Sequence, residues 1–153
     1  MISKEQFALL KHSQIHEAIG TTQERIHSIK LKNTKSIILN IDLSKEFDRA
    51  SWTYLQLILT HIGFPHSFTK WIMCCFTSAS YSIFINGVVS DFFHVERGLR
   101  QGCPLSPLLF LLIMEGLSRL ISKAHVEGSL GGVKMTDVSY LSQILFVDDV
   151  LIF

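Results

Sequence analysis

Cysteine is scarce in this sequence and badly spaced for chemistry. Among 153 residues there are three, Cys74, Cys75 and Cys103, two adjacent and one distant. That spacing suits neither a zinc site nor a disulfide framework. The thiols are therefore read as reduced, the adjacent pair within a core helix, with no disulfide-linked partner. Long hydrophobic runs are missing too. The most apolar stretch, Leu108 to Met114, stops at Glu115, far short of the roughly 20 residues that span a bilayer. Met1 to Leu10 has no long apolar stretch, so no signal peptide is read there. These absences point to an intracellular, soluble chain with no membrane partner, in nucleus or cytoplasm. Charge of one sign is also in short supply: 14 basic against 13 acidic residues leave a net charge of +1. A protein that grips nucleic acid by charge alone is usually more basic. One local cluster leans that way, Arg25, Lys30, Lys32 and Lys35 with His27 among them and Glu24 against them. Its ordinary reading is a solvated helix end and loop.

What is present is apolar material in patterned blocks. Nearly half the residues are hydrophobic, enough for one domain with a real core. No internal repeat or low-complexity segment interrupts them. The first thirty residues read as weakly helical. Phe7, Leu10, Ile15 and Ile19 suggest a stripe that Gly20 breaks, and Gln23 to Lys30 reads as a second helix with Ile26 and Ile29 three apart. Asn33 and Thr34 mark a loop. Ile37 to Ile41 is a nearly continuous aliphatic run, which predicts a strand buried on both faces, with Asp42 at its C-terminal end. Asp48 or Ser51 is placed to cap a helix running to about Ile62, in which Trp52, Leu55, Ile58, Leu59 and Ile62 recur at helical spacing. Gly63-Phe-Pro65 turns the chain into a short helix around Phe68 to Phe76.

Tyr81 to Ile85 and Val88 to His94 flank Asn86-Gly87, the dipeptide that most strongly signals a hairpin. Arg97 to Gly102 reads as a loop. Ser106 is placed to cap a long helix with Pro107 in its first position and apolar residues through Ile121. Gly128, Gly131 and Gly132 read as a flexible stretch. The chain closes on two apolar runs, Ile144 to Val147 and Val150 to Phe153, with Asp148-Asp149 between them.

That closing segment carries chemistry. Two short strands joined by a two-residue turn want Asn-Gly or Gly-X at the turn, because positive φ is required there. Asp-Asp sets two like charges at the tip of an apolar hairpin instead. A locally unfavourable choice in a well-patterned segment points to function, and a cation would resolve the conflict. Asp42 ends a second strand, 106 residues from Asp148, so only the fold can unite them. Converging carboxylates supply the oxygen ligands that hard divalent ions prefer. Spacing alone leaves an exposed turn without function equally open.

Three segments together go further. Ile41-Asp-Leu-Ser-Lys-Glu-Phe-Asp-Arg-Ala-Ser-Trp52, Arg97-Gly-Leu-Arg-Gln-Gly-Cys-Pro-Leu-Ser-Pro107 and Phe146-Val-Asp-Asp149 resemble, in order and spacing, the three palm motifs of reverse transcriptases from LINE-type (non-LTR) retrotransposons. The likeness spans roughly Glu24 to Phe153, and Gly63-Phe-Pro65 and Ile85-Asn-Gly87 resemble plant-type elements. It implies an α+β fold with a polymerase palm-like antiparallel sheet, ferredoxin-like or RRM-like, backed by helices. Residues 1–36 would be residual fingers and connecting helices, and 37–153 the palm core of a partial domain without a thumb. The near-neutral charge would then reflect a nucleic-acid grip lying in parts not present.

The resemblance also implies roles. Asp42, Asp148 and Asp149 are the catalytic and metal-binding carboxylates, taking two Mg²⁺ ions, or Mn²⁺ in their place. Phe47 is the steric gate against a 2′-hydroxyl, and Leu43, Gln101 and Gly102 join it in binding substrate. Pro104, Ser106 and Pro107 shape a loop and start a helix, while Asp48, Arg49 and Trp52 are structural. The implied partners are an RNA template, a DNA primer and deoxynucleoside triphosphates. Three residues depart from the commonest pattern. Cys103 stands where many relatives have Asp, Val147 replaces Ala, and Glu46 replaces a small residue beside the sugar pocket. The implied function is RNA-directed DNA synthesis. Glu46 and the missing thumb point to the alternative of a catalytically inactive remnant. A repurposed nucleic-acid-binding module is the third reading, disfavoured because no exposed aromatic pair can be placed on a strand. Carboxylates of Asp42 and Asp148 are expected roughly 4–6 Å apart, within joint reach of one ion.

Overall fold

The computed structural model describes residues 2–7, 15–33, 35–134 and 140–153. In chain order its elements are α1 (Ile15–Leu31), β1 (Leu39–Asp42), α2 (Glu46–Arg49), α3 (Trp52–Ile62) and α4 (His66–Thr77). Four short strands follow, β2 (Ser80–Tyr81), β3 (Phe84–Ile85), β4 (Val88–Val89) and β5 (Phe93–His94). Then come α5 (Ser106–Val126), β6 (Val133–Lys134), β7 (Tyr140–Leu141), β8 (Gln143–Phe146) and β9 (Asp149–Ile152). They divide into two compact units, Met1–Ser44 with Met114–Phe153, and Lys45–Ile113.

The first unit is built on an antiparallel sheet of order β1-β9-β8. Period-two alternation splits its side chains between two faces. Leu145, Val150 and Gln143 are at most 1% exposed, and Gln143 Nε2 donates to the Ser118 carbonyl at 2.9 Å, which fixes α5 behind that face. On the other face Ile144 clusters with Ala18 of α1, Leu141 and Phe153. The outer edge of β8 is covered by the N-terminal segment: Phe7 N–H donates to Leu145 O and Leu145 N–H to Glu5 O, both at 2.9 Å.

Several expectations are corrected here. Phe7 lies in that covering segment and not in a helix, and Leu10 falls outside the described residues. The two predicted helices are one, because α1 runs through Gly20. A mid-helix glycine costs only about 1 kcal/mol, less than packing of the α1 face supplies. Arg25 is not part of a solvated cluster; it is 6% exposed on that inner face, with its Nε unpaired. Strand β1 starts at Leu39 and is not buried on both faces: it is the open edge of the sheet, with Ile37 85% and Leu39 50% exposed. An aliphatic run reads alike at a sheet's centre or edge, because burial depends on which strands flank it. Thr34 lies outside the described residues. The glycine stretch is tied down, since His125 Nδ1 lies 3.1 Å from the Gly131 carbonyl oxygen.

The second unit pairs α3 with α4 around Leu55, Leu59, Ile72 and Phe76. Ser51 caps α3, its Oγ accepting from Tyr54 N–H at 3.3 Å, and Gly63 ends it in the left-handed region. Cys74 and Cys75 lie on α4 but face solvent, contrary to a core placement. Asn86 and Gly87 have φ of 50° and 85°, the double positive φ of a type I′ hairpin turn, and join β3 to β4. Phe84 on β3 and Phe93 on β5 are 72% and 41% exposed. Exposed strand aromatics therefore exist, against the reading from sequence.

Candidate active site

Where β1 meets β9, Asp42 and Asp149 are register partners, and Phe146 pairs with Asp149 from the other side. Leu43 N–H donates to Asp148 O at 3.0 Å. That bond makes Leu43 and Asp148 the hydrogen-bonded pair, so Asp42 and Asp149 form the adjoining non-hydrogen-bonded pair, where facing side chains come closest. Both project on the same face and both are exposed. Like charges directly opposite one another destabilise a sheet. The sheet thus carries a local cost at this end.

The turn is displaced by one residue from its predicted place. Val147 and Asp148 form it, and Asp149 already belongs to β9. The positive φ falls on Val147, at 53°. A β-branched residue there is a genuine outlier, and such strain costs on the order of 1–3 kcal/mol. Asp149 also lines a cavity of about 280 Å³ with Thr22, Gln23, Asn40 and Phe146. Among the described residues, no group of three or more His, Cys, Asp or Glu is gathered into a ready metal cage. The three carboxylates share one end of the sheet without forming a closed ligand set.

The second unit holds the other predicted site residues. Phe47 lies in α2, its ring 5.3 Å from that of Phe110 at the start of α5. Phe47, Gln101 and Gly102 line one cavity of about 560 Å³. Gln101 Nε2 donates to Asp48 Oδ1 at 3.3 Å. Leu99 N–H donates to Phe47 O at 2.7 Å and Gly98 N–H to Ala50 O at 2.8 Å, which pins the glycine loop to α2. Gly98 has φ of 99°, and a Cβ there would stand 3.0 Å from Asp48 O, so only glycine fits. Trp52 Nε1 donates to Gly98 O at 2.7 Å, in keeping with a structural role.

The same cavity is lined by Glu46, in keeping with its expected place beside the sugar pocket, and by Arg100 and Cys103, to which the sequence gives no substrate role. Backbone N–H of Leu105, followed by hydrogen bonds from Ser106 and the charge of Arg100, holds the Cys103 thiol below the usual thiol range. The signal lies in a cysteine three residues before a helix-opening Ser-Pro. The Ser106 side chain does something other than the predicted cap: its hydroxyl donates to Arg100 O at 2.7 Å.

A three-stranded antiparallel sheet backed by a long helix, with carboxylates from a strand end and a hairpin, defines a polymerase palm. All 153 residues match the family model described as reverse transcriptase (RNA-dependent DNA polymerase), and the chain belongs to that family. It is 28% identical over 129 residues to the retrovirus-related Pol polyprotein from type-1 retrotransposable element R2 of Popillia japonica, covering 82% of this chain and 20% of that protein. It is 32% identical over 116 residues to the Pol polyprotein from type-2 retrotransposable element R2DM of Drosophila melanogaster, covering 76% of this chain and 10% of that one. An uncharacterised mitochondrial protein of Arabidopsis thaliana is 44% identical over 71 residues, 45% of this chain and 58% of its own length. The relatives thus include non-LTR retrotransposon proteins, of which this chain spans a fifth or less. A solved structure of apo telomerase from Candida tropicalis shares the fold, with a TM-score of 0.65 at 14% identity, over 97% of this chain and 29% of that one. No helix among the described residues is long and apolar enough to cross a membrane.

Proposed function

We propose that this chain is the nucleotidyl-transfer core of an RNA-directed DNA polymerase, which extends a DNA primer on an RNA template using deoxynucleoside triphosphates. The observation that carries this reading is the facing pair Asp42 and Asp149, with Asp148 held beside them by Leu43. Asp42, Asp148 and Asp149 would hold two Mg²⁺ ions, or Mn²⁺. When bound, the ions supply charge neutralisation at the reacting phosphate and activation of the attacking hydroxyl. The chain's own residues position the reactants, which is most of the catalysis in phosphoryl transfer. Phe47, backed by Phe110, forms a firm wall that rejects a ribose 2′-hydroxyl by exclusion. Gln101 and the backbone of Gly102 bound the same cavity. Leu43, whose backbone N–H donates to Asp148 O in the turn, would join them in binding substrate.

One observation favours a second reading, an inactive domain. Glu46 lines the cavity of Phe47 and Gln101 and brings a carboxylate into a space proposed for a triphosphate. Primer extension on poly-rA with oligo-dT and Mg²⁺ separates the two. Synthesis that Asp148→Ala abolishes supports the polymerase. No synthesis by the wild-type chain, restored by Glu46→Ala, supports a domain silenced at that position. Synthesis unchanged by Asp148→Ala overturns the assignment of the carboxylates.

A further inference from the structure

The hairpin arm of the Lys45–Ile113 unit is apolar on both faces and covered on neither. Opposed residues of an antiparallel pair project to the same side, so Phe84 and Val89 share one face and Ile85 and Val88 the other. Along the arm Ile83, Phe84, Ile85, Val88, Val89 and Phe92 are each between 51% and 76% exposed. Asp91 is the only charged residue from Ser80 to His94, and the stretch contains no lysine or proline. Those are the residues with which natural proteins blunt a free strand edge. Among the described residues no third strand joins β3 and β4. A lone two-stranded hairpin is marginal in water, and stability takes three or more strands with an apolar face.

The turn fixes which main-chain groups face outward. A two-residue turn at Asn86-Gly87 closes on Ile85 and Val88, whose N–H and C=O groups bond each other across the hairpin. Ser90 N–H donates to Ile83 O at 2.9 Å, which places the next bonded pair two residues on. Phe84, between them, therefore turns its N–H and C=O away from β4, along the free edge of β3. Two such edges related by a two-fold axis at Phe84 match each other. Each Phe84 exchanges both bonds with its copy, and Ile83 meets Ile85 of the second copy on either side. The β4 edge is a poorer match, because the same operation at Val89 sets Val88 against Ser90 and Gly87 against Asp91.

We propose that a second copy of this chain adds to this edge, β3 against β3, forming a four-stranded antiparallel sheet and a two-fold dimer. Such an interface is self-complementary, so the patch that completes one copy completes the other. The six apolar side chains expose on the order of 700 Å², close to the roughly 800 Å² that each partner buries in a stable pair. Nucleic acid is a poor occupant, because the arm offers no cation to a phosphate. None of the residues assigned to nucleotide transfer takes part, so this surface and the polymerase reading stand or fall separately.

Sedimentation velocity of the full 153-residue chain across the micromolar range is expected to show a monomer–dimer equilibrium. Phe84→Lys replaces two buried rings at the axis with two opposed ammonium groups and should raise the dimer Kd at least about a hundredfold. Leu57→Lys adds the same charge at an exposed apolar position of α3 and should leave the Kd unchanged. Hydrogen exchange on the wild type keeps the test independent of how the variant folds. The Phe84 amide should gain protection as concentration rises, whereas the Val89 amide, on the outer edge of β4, should not. A monomer at every concentration, a Kd indifferent to Phe84→Lys, or an unprotected Phe84 amide in the dimer would each overturn the proposal. Binding to phosphatidylcholine vesicles that Phe84→Lys abolishes, with no dimer in solution, would assign the arm to a lipid surface instead.

Discussion

Asp42 and Asp149 face each other across neighbouring antiparallel strands, in the pairing where opposed side chains approach most closely. Nothing about sheet formation favours two carboxylates there. Removing one charge should therefore stabilise the sheet while removing function. Asp149→Asn is expected to raise unfolding stability by about 0.5 kcal/mol and to abolish primer extension. Urea denaturation with and without Mg²⁺ checks it. Millimolar Mg²⁺ should raise the midpoint of the wild type and leave that of the variant nearly unchanged, since an ion binding only the native state stabilises it.

Val147 carries the positive φ that the turn requires. Glycine adopts that conformation without a Cβ penalty. Val147→Gly should increase stability by roughly 1 kcal/mol, the left-handed penalty less the entropy of a new glycine. A higher urea midpoint with unchanged m-value is the expected signature, and a lower midpoint would show that the Val147 side chain contributes packing worth more than the strain.

Phe47 is braced by Phe110. Phe47→Ala opens the cavity on the side proposed for the sugar. The kcat/KM ratio for ribonucleotide against deoxynucleotide is expected to rise by at least about tenfold, the weight of roughly 1.4 kcal/mol of lost exclusion. Unchanged discrimination would return Phe47 to a packing role.

Cys103 has a thiol held below its ordinary range by backbone N–H groups at the start of α5. Folding then favours the thiolate. The stability this adds is present above the unfolded thiol pKa and is lost as pH falls through the lowered folded value. Iodoacetamide should label Cys103 faster at neutral pH than it labels a cysteine in an unstructured peptide, because the thiolate is the nucleophile. The labelling rate should reach its plateau at lower pH than for the peptide. Peptide mapping against a Cys103→Ser control reads both.

Local chemistry was legible wherever one stretch of chain decides the outcome. Asn86-Gly87 dictated its turn through positive φ, Ser51 its helix start and Gly63 its stop. The aspartates announced themselves as poor turn residues in an apolar hairpin, and the family could be read from three short segments. Positions that depend on distant neighbours were less legible. The hairpin slipped by one residue, since its register is set by pairing with β1 as well as by the turn, and a slip of one exchanges the faces. Gly20 interrupts the local apolar stripe but not α1, because the tertiary face carries the helix across it.

The residue types at the palm end, and the kind of chemistry they serve, were determined by the sequence alone, because oxygen donors and turn propensities are properties of residues. Which aspartate faces which, that Arg25 is buried, that β1 is an open edge and that Trp52 and Tyr81 share a cavity with Arg97 and Arg100 were decided only by tertiary structure. Each of these joins residues distant in the chain. Non-local packing, unlike local propensity, leaves no trace in any single stretch of sequence.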